Sequence, residues 1–238
     1  MPGARRADSM RRMSAAPRIA LIHATPLAME PIQAAIQRHW PQVRAMNLLD
    51  DSLSHDRAQA GRLTADLVRR FEDLARYAQH AGANGILFTC SAFGPAIEAA
   101  GRATKLPTLK PNEAMFEQAL ALAPGRRPLH LGLVATFQAS LPSMTEELQD
   151  TARRRGIAID LRTVFVPEAM DDLAQGRPAE HHRKVAAAAR ALEACDAVML
   201  AQFSMAAALP IVQAELPCPV LSSPDCAVRA LMQRMTHA

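Results

Sequence analysis

Apolar positions along the chain fall into short continuous runs that alternate with longer periodic stretches. "RIALIH", residues 18–23, is an apolar run closed by "ATP", which reads as a buried strand. "MEPIQAAIQRHW" then spaces its apolar residues near 3.6, as a helix does, and "VRAMNLLDD", residues 43–51, is the next strand. A long helix over about 62–80 carries Leu63, Ala65, Leu67, Val68, Phe71 and Leu74. "GILFTC" (strand), "PAIEAAGRAT" (helix), "PTLK" (short strand) and "NEAMFEQALALA" (helix) follow. The strands do not alternate apolar with polar residues, so both of their faces are expected to be covered, as in a parallel sheet with helices on both sides.

After "PGRRP", residues 124–128, the pattern starts again. "LGLVAT", residues 131–136, reads as a strand, and "LPSMTEELQDTARRRG" as a helix stopped by Gly156. "AIDLRTVFV" is a strand, "PAEHHRKVAAAARALEA" (residues 178–194) a helix, and "AVMLAQ" a strand. "SMAAALPIVQAE" (helix), "PVL" (strand) and "DCAVRALMQRM" (helix) complete the chain. A shift of 112 residues lays Ile19-Ala20-Leu21-Ile22 on Leu131-Gly132-Leu133-Val134, Ile86-Leu87-Phe88 on Val198-Met199-Leu200, and Pro107-Thr108-Leu109 on Pro219-Val220-Leu221. One offset shared by three strands indicates an internal duplication. The expected architecture is α/β: two pseudo-symmetric lobes, residues 17–125 and 126–238, each a mainly parallel sheet flanked by helices, either side by side or intertwined, with a cleft between them. Under the same shift Cys90 falls on Gln202.

Composition narrows the function classes. Half of the 238 residues are apolar, enough for a real core, but aromatics make up only 4%, so alanine, leucine and valine must do most of the packing. No apolar run approaches the ~20 residues of a membrane span, so a soluble protein without a membrane partner is expected. The net charge of +4 is concentrated in residues 1–16, where Arg5, Arg6, Arg11 and Arg12 stand against Asp8 alone. That segment is expected to be a disordered basic tail. No basic stripe interleaved with aromatics appears, which argues against nucleic acid, and no GxGxxG or P-loop appears, which argues against a nucleotide. The four cysteines, Cys90, Cys195, Cys218 and Cys226, show neither CxxC nor zinc spacing. With no secretory h-region, four free thiols in a reducing cytoplasm are expected, and no metal.

Parallel α/β sheets bind ligands beyond the C-terminal ends of their strands. Those ends are rich in small polar residues: His23-Ala24-Thr25, Asp50-Asp51, Thr89-Cys90-Ser91, Thr136, Gln202-Phe203-Ser204 and Ser222. Cys90 is the candidate reactive group, because the N–H groups of Ser91 and Ala92 at the start of a helix would favour its thiolate; a small buried hydrophobe is the alternative role. Thr25, Ser91, Thr136, Ser204 and Ser222 are candidate donors to a substrate oxygen, or helix caps. His23 is a candidate base or a satisfied strand-end histidine, and Asp50 a candidate ammonium ligand or turn cap. "EHHRK", residues 180–184, is expected to be a solvated helix face.

"TCSAFGPAIEAA" and "LAQFSMAAA", with the 112-residue repeat, resemble the aspartate/glutamate/hydantoin racemase superfamily, which includes arylmalonate decarboxylase and maleate isomerase. "MNLLDDS" and "LKPNEAMFE" fit the same group. The resemblance implies a cofactor-independent enzyme with no metal, a homo-oligomeric assembly, and a small-molecule carboxylate or amino-acid derivative bound between the lobes. In the racemases one cysteine from each lobe faces the substrate α-carbon. Cys90 matches the first, whereas the position of the second is Gln202, with Phe203 and Ser204 beside it. An amide does not exchange protons as a thiol does, so a racemase-like isomerase acting through Cys90 stands beside a single-cysteine decarboxylase or lyase, a cysteine-nucleophile isomerase, and a non-catalytic binder of a small ligand.

Overall fold

The computed structural model describes residues 16–123, 125 and 127–236, so nearly all of the expected basic tail lies outside the described residues. The chain folds into two four-stranded parallel sheets flanked by helices. The first sheet, ordered β2-β1-β3-β4, is built from β1 (Arg18–His23), β2 (Arg44–Leu49), β3 (Gly85–Phe88) and β4 (Thr108–Leu109). The second, ordered β6-β5-β7-β8, uses β5 (Leu129–Ala135), β6 (Ile159–Phe165), β7 (Ala197–Leu200) and β8 (Val220–Ser222).

The registers carry the duplication into three dimensions. Ile19 pairs with Gly85 as Leu131 pairs with Ala197, and Ile86 pairs with Thr108 as Val198 pairs with Val220. All keep the 112-residue offset. The edge strands do not: Ala45 beside Ile19 corresponds to Leu161 beside Leu131, an offset of 116. The longer second-lobe connection runs between β5 and β6, so the repeat slips only where an insertion leaves the central strands undisturbed.

Alternate residues of each central strand feed separate cores. Ala20, Ile22, Ile86 and Phe88 pack with Phe71 and Phe93, while Ile19, Leu21, Leu87 and Leu109 face the opposite side. Helices α1 (Met29–His39), α2 (Ser52–Ala60), α3 (Ala65–His80) and α4 (Gly94–Thr104) follow the strands of the first lobe. Thr64 caps α3 by accepting from Leu67 N at 3.2 Å, which starts that helix later than its apolar pattern suggests. The second lobe has α6 (Leu141–Arg154), α7 (Ala169–Ala174), α8 (Pro178–Ala189) and α9 (Leu209–Glu215). Helices α2 and α7 are too short and too polar to show in the hydrophobic pattern.

Two helices cross over. α5 (Glu113–Leu120) follows β4 of the first sheet, yet its Met115 and Phe116 pack on Leu131, Leu133 and Met199 of the second. α10 (Ser223–Thr236) follows β8 of the second sheet, yet its Val228 and Leu231 pack on Ile19, Leu21 and Leu87 of the first. Gly85 permits that approach: a Cβ there would lie 2.6 Å from Met235 Sδ and 3.3 Å from Leu231 Cδ1. The exchange is reciprocal, which relates the two lobes by an approximate two-fold axis. Among the described residues no helix is long and apolar enough to cross a membrane.

Candidate active site

The strand ends of both lobes open on one cavity of about 210 Å³. Cys90 and Gln202 both line it, as the repeat arithmetic requires. Cys90 follows β3 and precedes a single 3-10 turn, Ser91–Phe93, from which α4 continues. It is the one cysteine of the four that stays partly exposed. Burial pushes its thiol pKa up, and the Ala92 N–H and the Ser54 hydroxyl oppose that shift by facing the sulfur. Ser54 also donates to Ala24 O at 2.8 Å, so its single proton has two acceptors to choose between. Burial likewise raises Cys195 and Cys218, and takes Cys226 to about 11. Those three are packed inside the fold and do not reach the cavity.

Gln202 is held on several sides. Its Oε1 accepts from Thr136 N at 2.8 Å and from Thr136 Oγ1 at 3.3 Å, and its Nε2 donates to Ser140 Oγ at 2.9 Å. The Ser140 hydroxyl passes its own proton to Phe137 O at 2.8 Å. The amide is therefore a fixed part of the wall.

Of the residues expected at the site, Thr25, Ser91, Ala92, Phe203 and Ser204 line the cavity beside Cys90 and Gln202. Thr25 also accepts from Leu27 N at 3.4 Å, capping the turn after β1. Four expected positions do not line it. Thr136 stands behind Gln202 as its hydrogen-bond partner. Ser222 is buried and donates to Asp225 Oδ2 at 2.6 Å, tying the start of α10 to α1 through Arg38 and His39. Asp50 accepts from Ser52 Oγ at 2.6 Å and from Arg70 Nη2 at 2.5 Å, which anchors the helix that supplies Ser54. His23, the candidate base, is fully buried between strands, with Nδ1 2.9 Å from Thr89 Oγ1 and Nε2 3.0 Å from Asn47 Oδ1. Burial lowers its pKa, against the opposing pull of Asn47. It is a neutral structural imidazole that braces the strand end carrying Cys90.

A further correction concerns "EHHRK". His181 is fully buried rather than solvated, because it shares the inward stripe of α8 with Val185, Ala186 and Ala189. Burial, then the neighbouring His182, push its pKa down to about 4. Neither residue lines the cavity.

Sequence reasoning missed Ser54, Asn112, Phe137 and Met170, all of which line the cavity. Asn112 lies within "LKPNEAMFE" and Ser54 two residues beyond "MNLLDDS", and those stretches were the available signal. Among the lining side chains none is a Lys, Arg, His, Asp or Glu. Leu27, Ala28, Pro111, Phe137, Met170 and Phe203 make much of the wall apolar, and hydroxyl and amide groups supply the polarity.

The chain matches the Asp/Glu/hydantoin racemase family model over residues 19–231. Among solved structures it is similar to a glutamate racemase isoform from Bacillus anthracis, at 14% identity and a TM-score of 0.71, over 94% of this chain and 83% of that one. It is also similar to allantoin racemase from Klebsiella pneumoniae, at 16% identity and a TM-score of 0.66, over 93% and 89% of the two chains. A glycine-to-cysteine mutant of arylmalonate decarboxylase gives 17% identity and a TM-score of 0.64, over 92% and 94%. At these identities the likeness shows the fold. No curated protein matches the sequence.

Proposed function

The chain belongs to the Asp/Glu/hydantoin racemase family, and from that premise we propose that it is a single-thiol enzyme that protonates an enolate-like carbanion on one face, using Cys90. The observation that carries this reading is that, among the described residues, Cys90 is the only lining side chain able to move a proton near neutral pH. Hydroxyls and amides titrate far outside that range. Burial keeps Cys90 as the thiol, which suits a proton donor better than a base. Racemisation by two thiols, the family's namesake reaction, finds no second thiol at Gln202.

The reaction that fits is decarboxylation, or a related lyase step, at a carbon bearing a carboxylate and a second carbonyl or carboxylate. Loss of CO₂ leaves its electron pair on that carbon as an enolate. Cys90 gives the carbon its proton, and water later restores the thiol. The Ser91 and Ser204 hydroxyls are the donors for the oxygen on which charge builds. Without a charged side chain in the wall, an α-ammonium group has no counter-ion. The preferred substrate therefore carries an apolar substituent and no ammonium, unlike free aspartate or glutamate. No step in this scheme calls for a cofactor.

The test is a panel of 2-substituted malonates, 2-aryl carboxylic acids, 5-substituted hydantoins and the free amino acids, incubated in D₂O and read by mass spectrometry and chiral chromatography. One deuterium in a product of single handedness, lost in Cys90→Ala, is the expected result. Equal interconversion of two enantiomers would refute the one-face scheme. Binding without any turnover would favour a ligand-binding protein.

A further inference from the structure

The chain passes between the sheets twice beside the cavity. The segment after β4 delivers Asn112 to the start of α5, and the segment after β8 delivers Ser223 to the start of α10. Asn112 is 1% exposed and Ser223 is fully buried. Ser223 Oγ donates to Asn112 Oδ1 at 2.5 Å and lies 3.4 Å from Met115 Sδ. The other end of the same amide, Nδ2, is buried and has no partner among the described residues. Asn112 lines the Cys90 cavity. Native folds rarely leave a buried donor unpaired, and the cavity that Asn112 lines is the adjoining space from which a ligand would complete it.

The position of this donor says what completes it. Cys90 and Gln202 are equivalent under the repeat, one on each side of the approximate two-fold axis. Asn112 and Ser223 fall one residue short of equivalence and touch each other, which puts them beside that axis. A group there meets the part of a substrate that both faces of the reacting carbon share. In an enolate that part is the conjugated oxygen.

We propose that Asn112 Nδ2 donates a hydrogen bond to the carbonyl or carboxylate oxygen conjugated with the reacting carbon, and that Ser223 is a positioning residue that turns the amide so that its N–H₂ group faces the cavity. This rests on the enolate chemistry proposed above. It adds a requirement to the substrate: an acceptor oxygen, rather than an N–H or an ammonium, must occupy the centre of the site.

The chain has three asparagines, Asn47, Asn84 and Asn112, so a sample labelled with ¹⁵N at asparagine side chains gives a spectrum simple enough to read. The probes are 2-phenylpropionate and 5-benzylhydantoin, titrated to their solubility limits, with the Asn112 pair assigned by its loss in Asn112→Asp. The expected result is a saturable shift of the Asn112 signals, with Asn47 and Asn84 unmoved, and binding weakened at least about tenfold in both Asn112→Ala and Asn112→Asp. On a substrate from the panel, Asn112→Ala should lower kcat/KM about 100-fold, mainly through kcat. Ser223→Ala should lower kcat per titrated site, with KM little changed and active-site titration by Cys90 alkylation still complete, whereas a loss of folded protein would lower the titrated sites and leave kcat per site unchanged. A silent Asn112 pair with both probes, or unchanged affinity in both Asn112 variants, overturns the assignment. A shift at Asn112 without deuterium uptake into any product of the panel would defeat the reaction scheme and leave the donor standing; deuterium uptake with a silent Asn112 would do the reverse.

Discussion

Alkylation of Cys90 as a function of pH tests the electrostatics of the site without any substrate. The nucleophile towards iodoacetamide is the thiolate. Burial raises the Cys90 pKa, so the thiol dominates at neutral pH and the rate should climb about tenfold per pH unit until that pKa is passed. Ser54 works in the other direction. Its hydroxyl now donates to Ala24 O, and turning it to the sulfur exchanges a neutral hydrogen bond for a charge-assisted one. The difference between two such bonds is about 1 kcal/mol, or about fivefold in the thiolate fraction at fixed pH. Ser54→Ala should therefore slow alkylation at pH 8 about fivefold and move the profile to higher pH. Intact-mass spectrometry reads the assay cleanly, because Cys195, Cys218 and Cys226 are 7%, 8% and 4% exposed and one equivalent should react first. A midpoint below that of free cysteine in the same buffer, or faster reaction in Ser54→Ala, would refute the reasoning.

Three further outcomes follow from the same geometry. Gln202→Ala removes the partner of the buried Thr136 N–H and of Ser140, which should destabilise the fold by about 2 kcal/mol, or roughly 4–8 °C in Tm; an unchanged Tm would mean that the amide is not fixed as described. Asp225 is buried enough for desolvation to work against its carboxylate, but Ser222, Arg38 and His39 outweigh that and hold its pKa low. A lowered folded pKa gives stability that is present above about pH 4 and lost as the pH falls through the folded value; urea titrations should show Asp225→Asn less stable by about 1–2 kcal/mol at neutral pH, with the gap closing in acid. Gly132→Ala would place a Cβ 2.8 Å from Leu192 Cδ1 and 3.1 Å from Val198 Cγ2, and should cost about 1–3 kcal/mol in chemical denaturation.

The central strands were legible because their residues are apolar on both faces, and only a strand buried on both sides needs that. Ile86-Leu87-Phe88 and Val198-Met199-Leu200 could be aligned by eye for the same reason. The exchange of α5 and α10 was not legible: an apolar helix stripe records that it is buried, not which sheet buries it. Site residues divided along the same line. Cys90 and Gln202 followed from the strand-end rule and the repeat. Ser54 and Asn112 are brought in by a short helix and by an inter-lobe crossing, and neither has a period. The burial of His23 and His181 was hard to read for one shared reason. Each is polar in sequence, yet its side chain sits on an inward position, where burial neutralises the ring.

The two strand ends show why duplicating this scaffold does not by itself duplicate its chemistry. At position 90 the sulfur keeps some exposure and has two donors that can follow its charge, the Ala92 N–H and the Ser54 hydroxyl. At position 202 the side chain completes a bonded frame made by Thr136 and Ser140, which are 4% and 0% exposed. A thiol placed there would reach neither the Thr136 N–H nor the Ser140 hydroxyl with comparable strength, since sulfur is a weak acceptor and donor. The frame would be left with unpaired groups in a closed wall. A second working thiol therefore demands that Thr136 and Ser140 change together with Gln202. Such a wall is built around an amide, and under the proposed scheme it would leave one face of the substrate to a proton donor and the other to a rigid surface. The handedness of the product would then be set by which lobe holds the thiol.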